Sequence, residues 1–172
     1  MHLNSISLFH QFAAKHFTQD SAVLELGPDF GCAPITPVYK LWHTTSPFPD
    51  DRLTFTCGEY TIPVPANTYD IVFSANVIEH VRKPWVWLRE LARVCAPGGY
   101  VITICPANWP RHEAPIDCWR IYPDGMKALY EDARLEIEAV AGRVSDGHDP
   151  AEREWFPEGV LSIDTIGVGR KV

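Results

Sequence analysis

A strand–helix–strand pattern in the middle of the chain limits its fold to a narrow class. Residues 70–74, DIVFS, and residues 100–105, YVITIC, are short apolar runs that are typical of buried strands. Between them, apolar residues from Pro84 to Cys95 recur at i, i+3, i+4 and i+7, the spacing of a helix that buries one face. Pro84 suits the first turn of this helix, and Pro97-Gly98-Gly99 ends it. This order predicts parallel strands with a helix packed on the sheet.

The alternation extends toward the N-terminus, where prolines interrupt it. A helix is predicted over residues 5–17 and an apolar strand, AVLEL, over residues 22–26. Seven of the 15 prolines fall between Pro28 and Pro65, which excludes long regular helices from that stretch. Two strands are expected within it, at residues 38–42 and 52–57.

The C-terminal third adds a helix that begins at Pro123 and two strands, at residues 135–144 and 160–170, joined by a polar loop. Because no helix is predicted between the last two strands, we expect them to form an antiparallel edge. The predicted fold is therefore α/β: a Rossmann-like, doubly wound, mostly parallel sheet with an antiparallel C-terminal edge, reduced in size and forming one domain over residues 1–172.

The composition suits one domain and narrows the functional classes. Hydrophobic residues make up 46% of the 172 residues, enough for one core. The net charge of −7 argues against a broad nucleic-acid-binding surface, although a local basic patch stays open. No apolar run approaches the roughly 18 residues of a membrane span, and the N-terminus lacks a secretion-signal pattern. The five cysteines are never spaced Cys-x-x-Cys, which favours reduced thiols in a cytoplasmic protein over a disulfide scaffold or zinc ribbon.

A glycine turn follows the first predicted strand. In an open α/β sheet, ligands bind beyond the carboxyl ends of the strands, where the strand order reverses. Gly27 and Gly31 in VLELGPDFG (residues 23–31) allow a tight turn and a close approach of a ligand to the backbone. Glu25, at the end of the strand, could contact a positively charged ligand. On its own, such a turn is often only a turn.

Several motifs in order resemble the class I S-adenosylmethionine-dependent methyltransferases. VLELGPDFG is similar to their first motif, an acidic residue followed by Gly-x-Gly-x-Gly. NTYDIVFSANVIEHV (67–81) and PWVWLRELARVCAPGGYVITICP (84–106) resemble their fourth strand, the following helix and the fifth strand. HEAPIDCWRIYPDGMKAL (112–129) and DTIGVGRK (164–171) are similar to a small methyltransferase-11-like subgroup found near glycan and secondary-metabolite enzymes. The resemblance implies S-adenosylmethionine as the cofactor.

The resemblance also implies a division of the chain into an N-terminal helix (1–20), a cofactor half (21–106) and an acceptor-side part (107–172). It assigns the cofactor to strand ends and to one loop acid: Glu25, Gly27, Pro28, Asp29, Gly31, His43, Thr44, Glu59, Ser74, Ala75 and Asn76.

Two of these positions depart from the family pattern. Asp29 replaces the middle glycine of the first motif. His43 or Thr44 stands where an acidic residue usually binds both ribose hydroxyls, and neither offers the bidentate acceptor of a carboxylate. Asp50 or Asp51, in the following loop, is an alternative. Glu59, which matches the position that commonly binds the adenine amino group, is equally compatible with a solvated loop acid.

A cluster of polar and aromatic residues follows the fifth strand, on what the resemblance makes the acceptor side. It supplies candidate bases, candidate apolar walls and a candidate anion clamp. An Arg120–Asp117 pair that only orders the loop is the alternative. His112 and Asp117 are two metal-ligand types without a third, so no metal site is predicted. The candidate bases are His80, His112 and Asp117, and the candidate acceptor contacts are Trp119, Arg120 and Tyr122.

The expected activity is methyl transfer from S-adenosylmethionine to an oxygen or nitrogen atom of a small-molecule acceptor, such as a sugar, a glycan or a secondary metabolite. The departures at Asp29 and at the ribose position keep open a non-catalytic methyltransferase-like binding subunit. A nicotinamide-dependent oxidoreductase is a weaker alternative, because Pro34 and Pro37 disfavour the helix that should follow its glycine motif. No membrane partner is expected, and the sequence does not address the oligomeric state.

Overall fold

Seven strands form one sheet in the computed structural model of the chain, which describes residues 3–28, 41–113 and 115–172. The strands are β1 (Ala22–Leu26), β2 (Leu41–Ser46), β3 (Phe55–Thr56), β4 (Tyr69–Ala75), β5 (Cys95–Pro106), β6 (Leu135–Val144) and β7 (Ile163–Lys171). The helices are α1 (Leu3–Leu8), α2 (Pro84–Val94), α3 (Pro123–Asp132) and α4 (Pro150–Trp155). A π-helical segment (Phe9–Ala13) and a 3₁₀ turn (Ala14–His16) continue α1, and a second 3₁₀ turn (Ile78–His80) follows β4.

The order of the strands in the sheet is β3-β2-β1-β4-β5-β7-β6. The first five strands are parallel, and β7 runs antiparallel to both β5 and β6. From β1 the chain moves outward through β2 and β3, whereas β4 leads outward on the other side through β5. The order therefore reverses between β1 and β4, which is where open sheets of this kind bind ligands. The predicted α/β class and mostly parallel sheet are confirmed.

Apolar side chains cover both faces of the sheet. On one face, Leu24 and Val72 belong to a cluster with the buried side of α2 and with Tyr130 of α3. On the other face, Val23 and Ile71 pack with Leu8 and Phe9 of the N-terminal helical segment. Alternate residues of β1 and β4 thus bury opposite faces, which is the pattern of a strand covered on both sides.

Strand β2 ends four residues later than the sequence predicts. The expected strand covers residues 38–42, of which 38–40 lie outside the described residues, and the observed strand continues to Ser46. Thr44 and Thr45 are β-branched and pair with Glu25 and Leu26 of β1, so that strand pairing continues up to Pro47. The end of β2 is therefore Thr45 and Ser46.

The C-terminal part contains one helix that the sequence does not predict. Residues 135–144 form β6 as expected, but the connection to β7 contains α4 rather than only a polar loop. Pro150 begins this short helix, and the buried Glu152 accepts a hydrogen bond from the backbone N–H of Ser162 at 3.0 Å. The last two strands are antiparallel, as expected, but β6 is at the edge and β7 is inserted between β5 and β6. No helix among the described residues is long and apolar enough to cross a membrane.

Candidate active site

A cavity of about 440 Å³ lies where the strand order reverses. Its lining comes from the segments that follow the carboxyl ends of four neighbouring parallel strands, closed by a side chain of α2 and by the loop after β5. A volume in the range of small-molecule sites and a position at the switch point of the sheet make it the candidate ligand site. Lining residues include Gly27 after β1, Thr45 to Phe48 at β2, Cys57 to Glu59 after β3, Asn76, Val77, His80, Val81 and Arg82 after β4, Trp87 of α2, and Pro115 and Ile116.

Gly27 makes the turn at the end of β1, as predicted, and lines the cavity. Its φ is +64°, a left-handed conformation that favours glycine, and its N–H donates to the carbonyl of Thr45 at 2.9 Å. A Cβ at this position would lie 2.5 Å from Cγ2 of Val77. Because Gly27 has no side chain, Val77, which follows β4, can pack directly against the backbone of the turn after β1. Asp29 and Gly31, the other turn residues assigned to the cofactor, lie outside the described residues, and Pro28 does not line the cavity.

Asn76 occupies the corresponding place after β4. Its φ is +57°, and its N–H donates to the carbonyl of Ile104 at 2.9 Å. Its side-chain Oδ1 is buried and accepts no hydrogen bond from the described residues. A buried acceptor without a donor is costly, and a ligand N–H or ammonium group in the cavity would satisfy it. Ser74 and Ala75 end β4 beside Asn76, and the Ser74 hydroxyl is likewise buried without a partner in the described part of the chain.

The residues predicted for the ribose position lie elsewhere. His43 hydrogen-bonds the Tyr69 hydroxyl through Nδ1 at 2.9 Å, and Thr44 exchanges hydrogen bonds with Thr54. Neither lines the cavity, because β2 extends two residues beyond Thr44. Thr45 and Ser46 occupy the strand end instead, and they offer hydroxyl groups rather than a carboxylate.

Three of the remaining acidic candidates, Asp50, Glu25 and Glu59, are paired. Asp50, the alternative ribose ligand, forms an exposed pair with Arg52, whose hydrogen bonds lower the pKa of Asp50 to about 2; neither Asp50 nor Asp51 lines the cavity. Glu25 accepts a hydrogen bond from the Trp42 indole at 3.1 Å and does not line the cavity either. Glu59 does line it, and its carboxylate accepts hydrogen bonds from the Tyr60 hydroxyl and the Arg82 backbone N–H.

Two histidines meet on the acceptor side. His80 lines the cavity, and its Nδ1 lies within hydrogen-bond distance of the carbonyl of Ile116. Nδ1 of His112 similarly faces the carbonyl of Pro110 at 3.1 Å, and the two ring centroids are 5.0 Å apart. Since a carbonyl can only accept, each Nδ1 carries the proton and each Nε2 keeps its lone pair. Burial lowers the pKa of His80, so this imidazole is neutral near pH 7.

Asp117 and Arg120 form the internal pair that the sequence leaves as the alternative. Nη1 and Nη2 of Arg120 lie 2.5 and 2.6 Å from the two carboxylate oxygens. The guanidinium also donates to the carbonyls of Trp109, Pro110 and Trp119, so that all five of its N–H groups are used. Burial alone would raise the pKa of Asp117, but hydrogen bonds from Arg120 outweigh it and hold this pKa at about 2. A carboxylate of that pKa is a weak base, and a guanidinium without a remaining donor makes no anion clamp, so both residues serve to order the loop.

The two aromatic candidates lie outside the cavity. Trp119 is 37% exposed, and its indole N–H donates to the carbonyl of Val81 at 2.8 Å. Tyr122 is 57% exposed and directly precedes α3. Apolar walls come instead from Phe48 and Trp87. Phe48 lies in the proline-rich SPFPDD segment, where no periodic pattern marks it, and Trp87 belongs to the helical stripe that predicts only packing.

Glu79 is the site residue that the sequence analysis misses. Its side chain is 1% exposed, and neither carboxylate oxygen has a hydrogen-bond partner among the described residues. Burial raises the pKa of Glu79 to about 8. The signal was the Glu79-His80 pair itself, because two adjacent titratable residues after a buried strand are expected at a ligand edge.

The comparisons with known proteins agree with this architecture. A family model described as a methyltransferase domain matches residues 37–103. An uncharacterised methyltransferase of Schizosaccharomyces pombe is 50% identical over 42 residues, which are 24% of this chain and 15% of that protein. Norajmaline N-methyltransferase of Rauvolfia serpentina is 30% identical over 81 residues, 46% of this chain and 27% of the enzyme. The chain spans only about a quarter or less of the length of these curated relatives.

The solved structures share the fold over nearly the whole chain. A methyltransferase of Bacillus halodurans has a TM-score of 0.72 at 12% identity and covers 96% of this chain and 98% of its own. The methyltransferase in complex with the Haloferax volcanii activator Trm112 has a TM-score of 0.71 at 17% identity, with 99% and 90% covered. The ordered motifs, the strand order and the position of the cavity agree with these findings: residues 37–103 match a methyltransferase domain, and the chain has the fold of the methyltransferase structures to which it is similar.

Proposed function

We propose that this protein transfers a methyl group from S-adenosylmethionine to an oxygen or nitrogen atom of a small-molecule acceptor, such as a sugar, a glycan or a secondary metabolite. The observation that carries the proposal is the cavity at the strand reversal, with Gly27 on one side and His80 on the other. The Rauvolfia relative, whose name makes it an N-methyltransferase, supports a nitrogen atom as one acceptor type.

S-adenosylmethionine fits the cavity at two points, but the described lining lacks the carboxylate that is expected to bind the ribose. Gly27 keeps the turn free of a side chain, and Oδ1 of Asn76 would accept a hydrogen bond from the cofactor's ammonium group. The ribose would meet Thr45 and Ser46, whose hydroxyls bind one group each rather than both ribose hydroxyls through one carboxylate. We therefore expect binding that is weaker than in relatives with an acid at this position.

The chain has to align the acceptor and exclude water more than it has to supply reactive groups. When bound, S-adenosylmethionine would supply a methyl carbon activated by a positively charged sulfur, which is a good leaving group as a neutral thioether once an acceptor lone pair bonds to that carbon. Phe48, Trp87 and Ile116 form apolar walls that hold the reactants and keep water out. Alignment of this kind contributes on the order of 7–11 kcal/mol in the best cases. Nε2 of the neutral His80 is available to take a proton from the acceptor.

A non-catalytic methyltransferase-like subunit is the second candidate function. The described lining of the cavity has no free carboxylate for the ribose, since the Glu59 carboxylate pairs with Arg82. A neighbour of the same fold assembles with an activator protein. A protein partner is therefore part of this second proposal, in which the chain would stabilise or orient another subunit.

Isothermal titration of the full chain with S-adenosylmethionine and S-adenosylhomocysteine separates the two candidates. The methyltransferase proposal expects one binding site per chain for each compound, together with formation of S-adenosylhomocysteine when a mixture of hydroxyl- and amine-bearing acceptors is added. Absence of binding at millimolar concentrations of both compounds would contradict it and favour the non-catalytic subunit. Binding without turnover in any acceptor mixture would place the chain among cofactor-binding but inactive members.

A further inference from the structure

Three potential metal ligands converge beside the cavity, and one of them, His80, lines it. Glu79 and His80 belong to the 3₁₀ turn after β4, and His112 comes from the loop after β5. The backbone N–H groups of Cys118 and Trp119 donate to the carbonyl of Glu79, which fastens this loop to the turn. As a result, one ligand atom from each of Glu79, His80 and His112 lies within 4.8 Å of the other two.

The Glu79 carboxyl group is buried, and neither of its oxygens has a hydrogen-bond partner among the described residues. Its side chain is 1% exposed, and Oε1 lies 3.7 Å from Nε2 of His80. An ionised carboxylate in such a place needs a positively charged partner, which a bound cation would supply. In the described structure, the histidine nitrogen beside this carboxyl group is Nε2 of His80, which carries a lone pair in the neutral imidazole and therefore supplies no positive charge.

The histidines are held as metal-binding histidines usually are. Nδ1 of His80 and Nδ1 of His112 each face a backbone carbonyl, of Ile116 and Pro110 respectively. This contact fixes the tautomer and the ring orientation and leaves Nε2 as the coordinating atom. The two rings are perpendicular, with centroids 5.0 Å apart, and a ring nitrogen of each lies within 4.8 Å of the other and of a Glu79 oxygen.

The net charge of the side chains around the three groups is compatible with a bound dication. Asp117 lies beside His112, with Oδ2 at 3.6 Å from Nδ1, and its carboxylate is paired with Arg120. Arg120 is the positive charge near Glu79, but it is paired bidentately with Asp117. Glu79, Asp117 and Arg120 together therefore amount to about one negative charge when Glu79 is ionised, and His112, a quarter exposed, gives an ion a route from solvent.

We propose that Glu79, His80 and His112 bind one divalent transition-metal ion, and that the ion is Zn²⁺ by preference. Two imidazole nitrogens and one carboxylate oxygen are a donor set of zinc sites that keep a fourth position open. Ligand atoms around tetrahedral zinc lie roughly 3.3 Å apart, so ligand atoms that are now up to 4.8 Å apart would have to approach each other by up to about 1.5 Å. The fourth position of the ion would be open to an oxygen atom of the acceptor.

This inference goes beyond methyl transfer, which needs no metal ion, and it changes the role of His80. Nε2 cannot coordinate an ion and accept a proton at the same time. With the ion bound, an acceptor hydroxyl would lose its proton because the metal lowers its pKa, and the proton would pass to solvent. Proton acceptance by His80 then applies only to the metal-free protein.

Titration of the chelator-treated, desalted full chain with ZnCl₂, without S-adenosylmethionine, tests the site. We expect one ion per chain. Glu79→Gln, His80→Ala and His112→Ala should each weaken binding at least tenfold. Glu79→Gln is the decisive variant, because it keeps the size of a buried side chain and removes only the charge. His10→Ala, at an exposed histidine of the N-terminal helical segment, is the matched control and should bind like the unaltered chain.

Titration with Co²⁺ identifies the donor atoms. The proposed site predicts visible bands of a four-coordinate nitrogen and oxygen site, lost in Glu79→Gln. A near-ultraviolet thiolate band that disappears in Cys118→Ser would instead assign binding to that exposed cysteine and overturn the proposal. Absence of binding, or equal affinity in all three ligand variants, would overturn it as well. Because neither titration contains the methyl donor, their outcome does not depend on whether the chain is a methyltransferase.

Discussion

Gly27 offers a direct test of the cavity through a single side chain. We expect Gly27→Ala to weaken S-adenosylmethionine binding at least tenfold in a titration. The added Cβ would overlap Cγ2 of Val77, which lies 2.5 Å away, and would push that side chain into the cavity. The left-handed backbone adds roughly 1–2 kcal/mol of strain for any residue other than glycine.

Gly159→Ala is the control for this strain. Gly159 has a φ of +81° and nothing within 4 Å of an added Cβ, so it carries a comparable backbone cost at a distance from the cavity. It should lower the melting temperature and leave the affinity for S-adenosylmethionine unchanged. The double variant Gly27→Ala with Val77→Ala should recover part of the lost affinity. Equal affinities for a folded Gly27→Ala and the unaltered chain would show that the cofactor does not use this turn.

Single residues were predictable where one backbone property decides their role. Gly27 directly follows an apolar strand, where a glycine indicates a tight turn. Since such turns lie at the edge of the sheet where ligands bind, its place in the cavity lining could be inferred. Glu79 shows the opposite case. Its importance comes from burial without a partner, and that burial depends on the loop after β5, which is distant in sequence. The pattern of residues around Glu79 in the sequence does not predict its contact with the loop after β5.

The loop after β5 is ordered mainly by the Asp117–Arg120 pair. The Asp117 side chain is 2% exposed and also accepts a hydrogen bond from the His112 backbone N–H at 2.8 Å. We expect Arg120→Ala to lower the free energy of unfolding by about 3 kcal/mol, the scale for leaving a buried charge without its partner. Urea denaturation measures this loss.

Trp119→Phe gives the comparison within the same loop. It keeps an aromatic ring and removes one hydrogen bond, to the Val81 carbonyl, so it should cost only about 1 kcal/mol. A smaller loss for Arg120→Ala than for Trp119→Phe would count against the loop-ordering role. Such a result would favour the alternative prediction that Arg120 contacts the acceptor.

Elements were predictable where their pattern is periodic and their ends are marked by proline or glycine. Pro84 and Pro123 begin α2 and α3 as expected, and the buried stripe of α2 is the predicted one. The end of β2 was misplaced because threonine is compatible with a strand and with a polar loop, and pairing with β1 decides between them. The helix α4 was missed because six residues are too few for a helical period to be visible.

The N-terminal helical segment is attached to the far end of the sheet by buried polar contacts. The Ser5 hydroxyl donates to Asp164 at 2.8 Å, the Leu3 backbone N–H donates to Asp149 at 2.8 Å, and the Asn4 amide donates to the carbonyl of Arg143 at 2.9 Å. The ends of β6 and β7 therefore hold a segment about 140 to 160 residues away in sequence. Sequence patterns predict the helix but not this attachment.

Asp164 makes the stability of the whole molecule depend on pH. Burial raises its pKa from 3.8 to about 6, so the folded state binds the proton more tightly than the unfolded chain. The resulting stabilisation is complete below about pH 4 and is lost as the pH rises through 6. Between these limits, the Asp164 contribution to the free energy of unfolding should fall by about 3 kcal/mol.

Asp164→Asn isolates this contribution, because the variant keeps the shape of the side chain and does not titrate. Urea denaturation of both proteins from pH 4 to pH 8 should show the variant gaining stability relative to the unaltered chain as the pH rises. Parallel curves at all pH values would mean that Asp164 titrates alike in the folded and unfolded chains. Buried groups that do not interact with Asp164 affect both proteins equally and cancel in the difference, whereas Glu79, whose pKa the Asp164 charge raises, cancels only in part.

The insertion of β7 between β5 and β6 sets an order of events during synthesis. The ribosome releases β6 before β7, its partner in the described part of the sheet, exists, and the outer edge of β5 stays open for the same interval. Until residues 163–171 emerge and thread into this gap, two lengths of backbone present unpaired hydrogen-bonding groups to any other nascent chain nearby. The half of the sheet that carries the cavity can form early, whereas the other half forms late and all at once. Aggregation during production should therefore depend on how fast this one strand arrives.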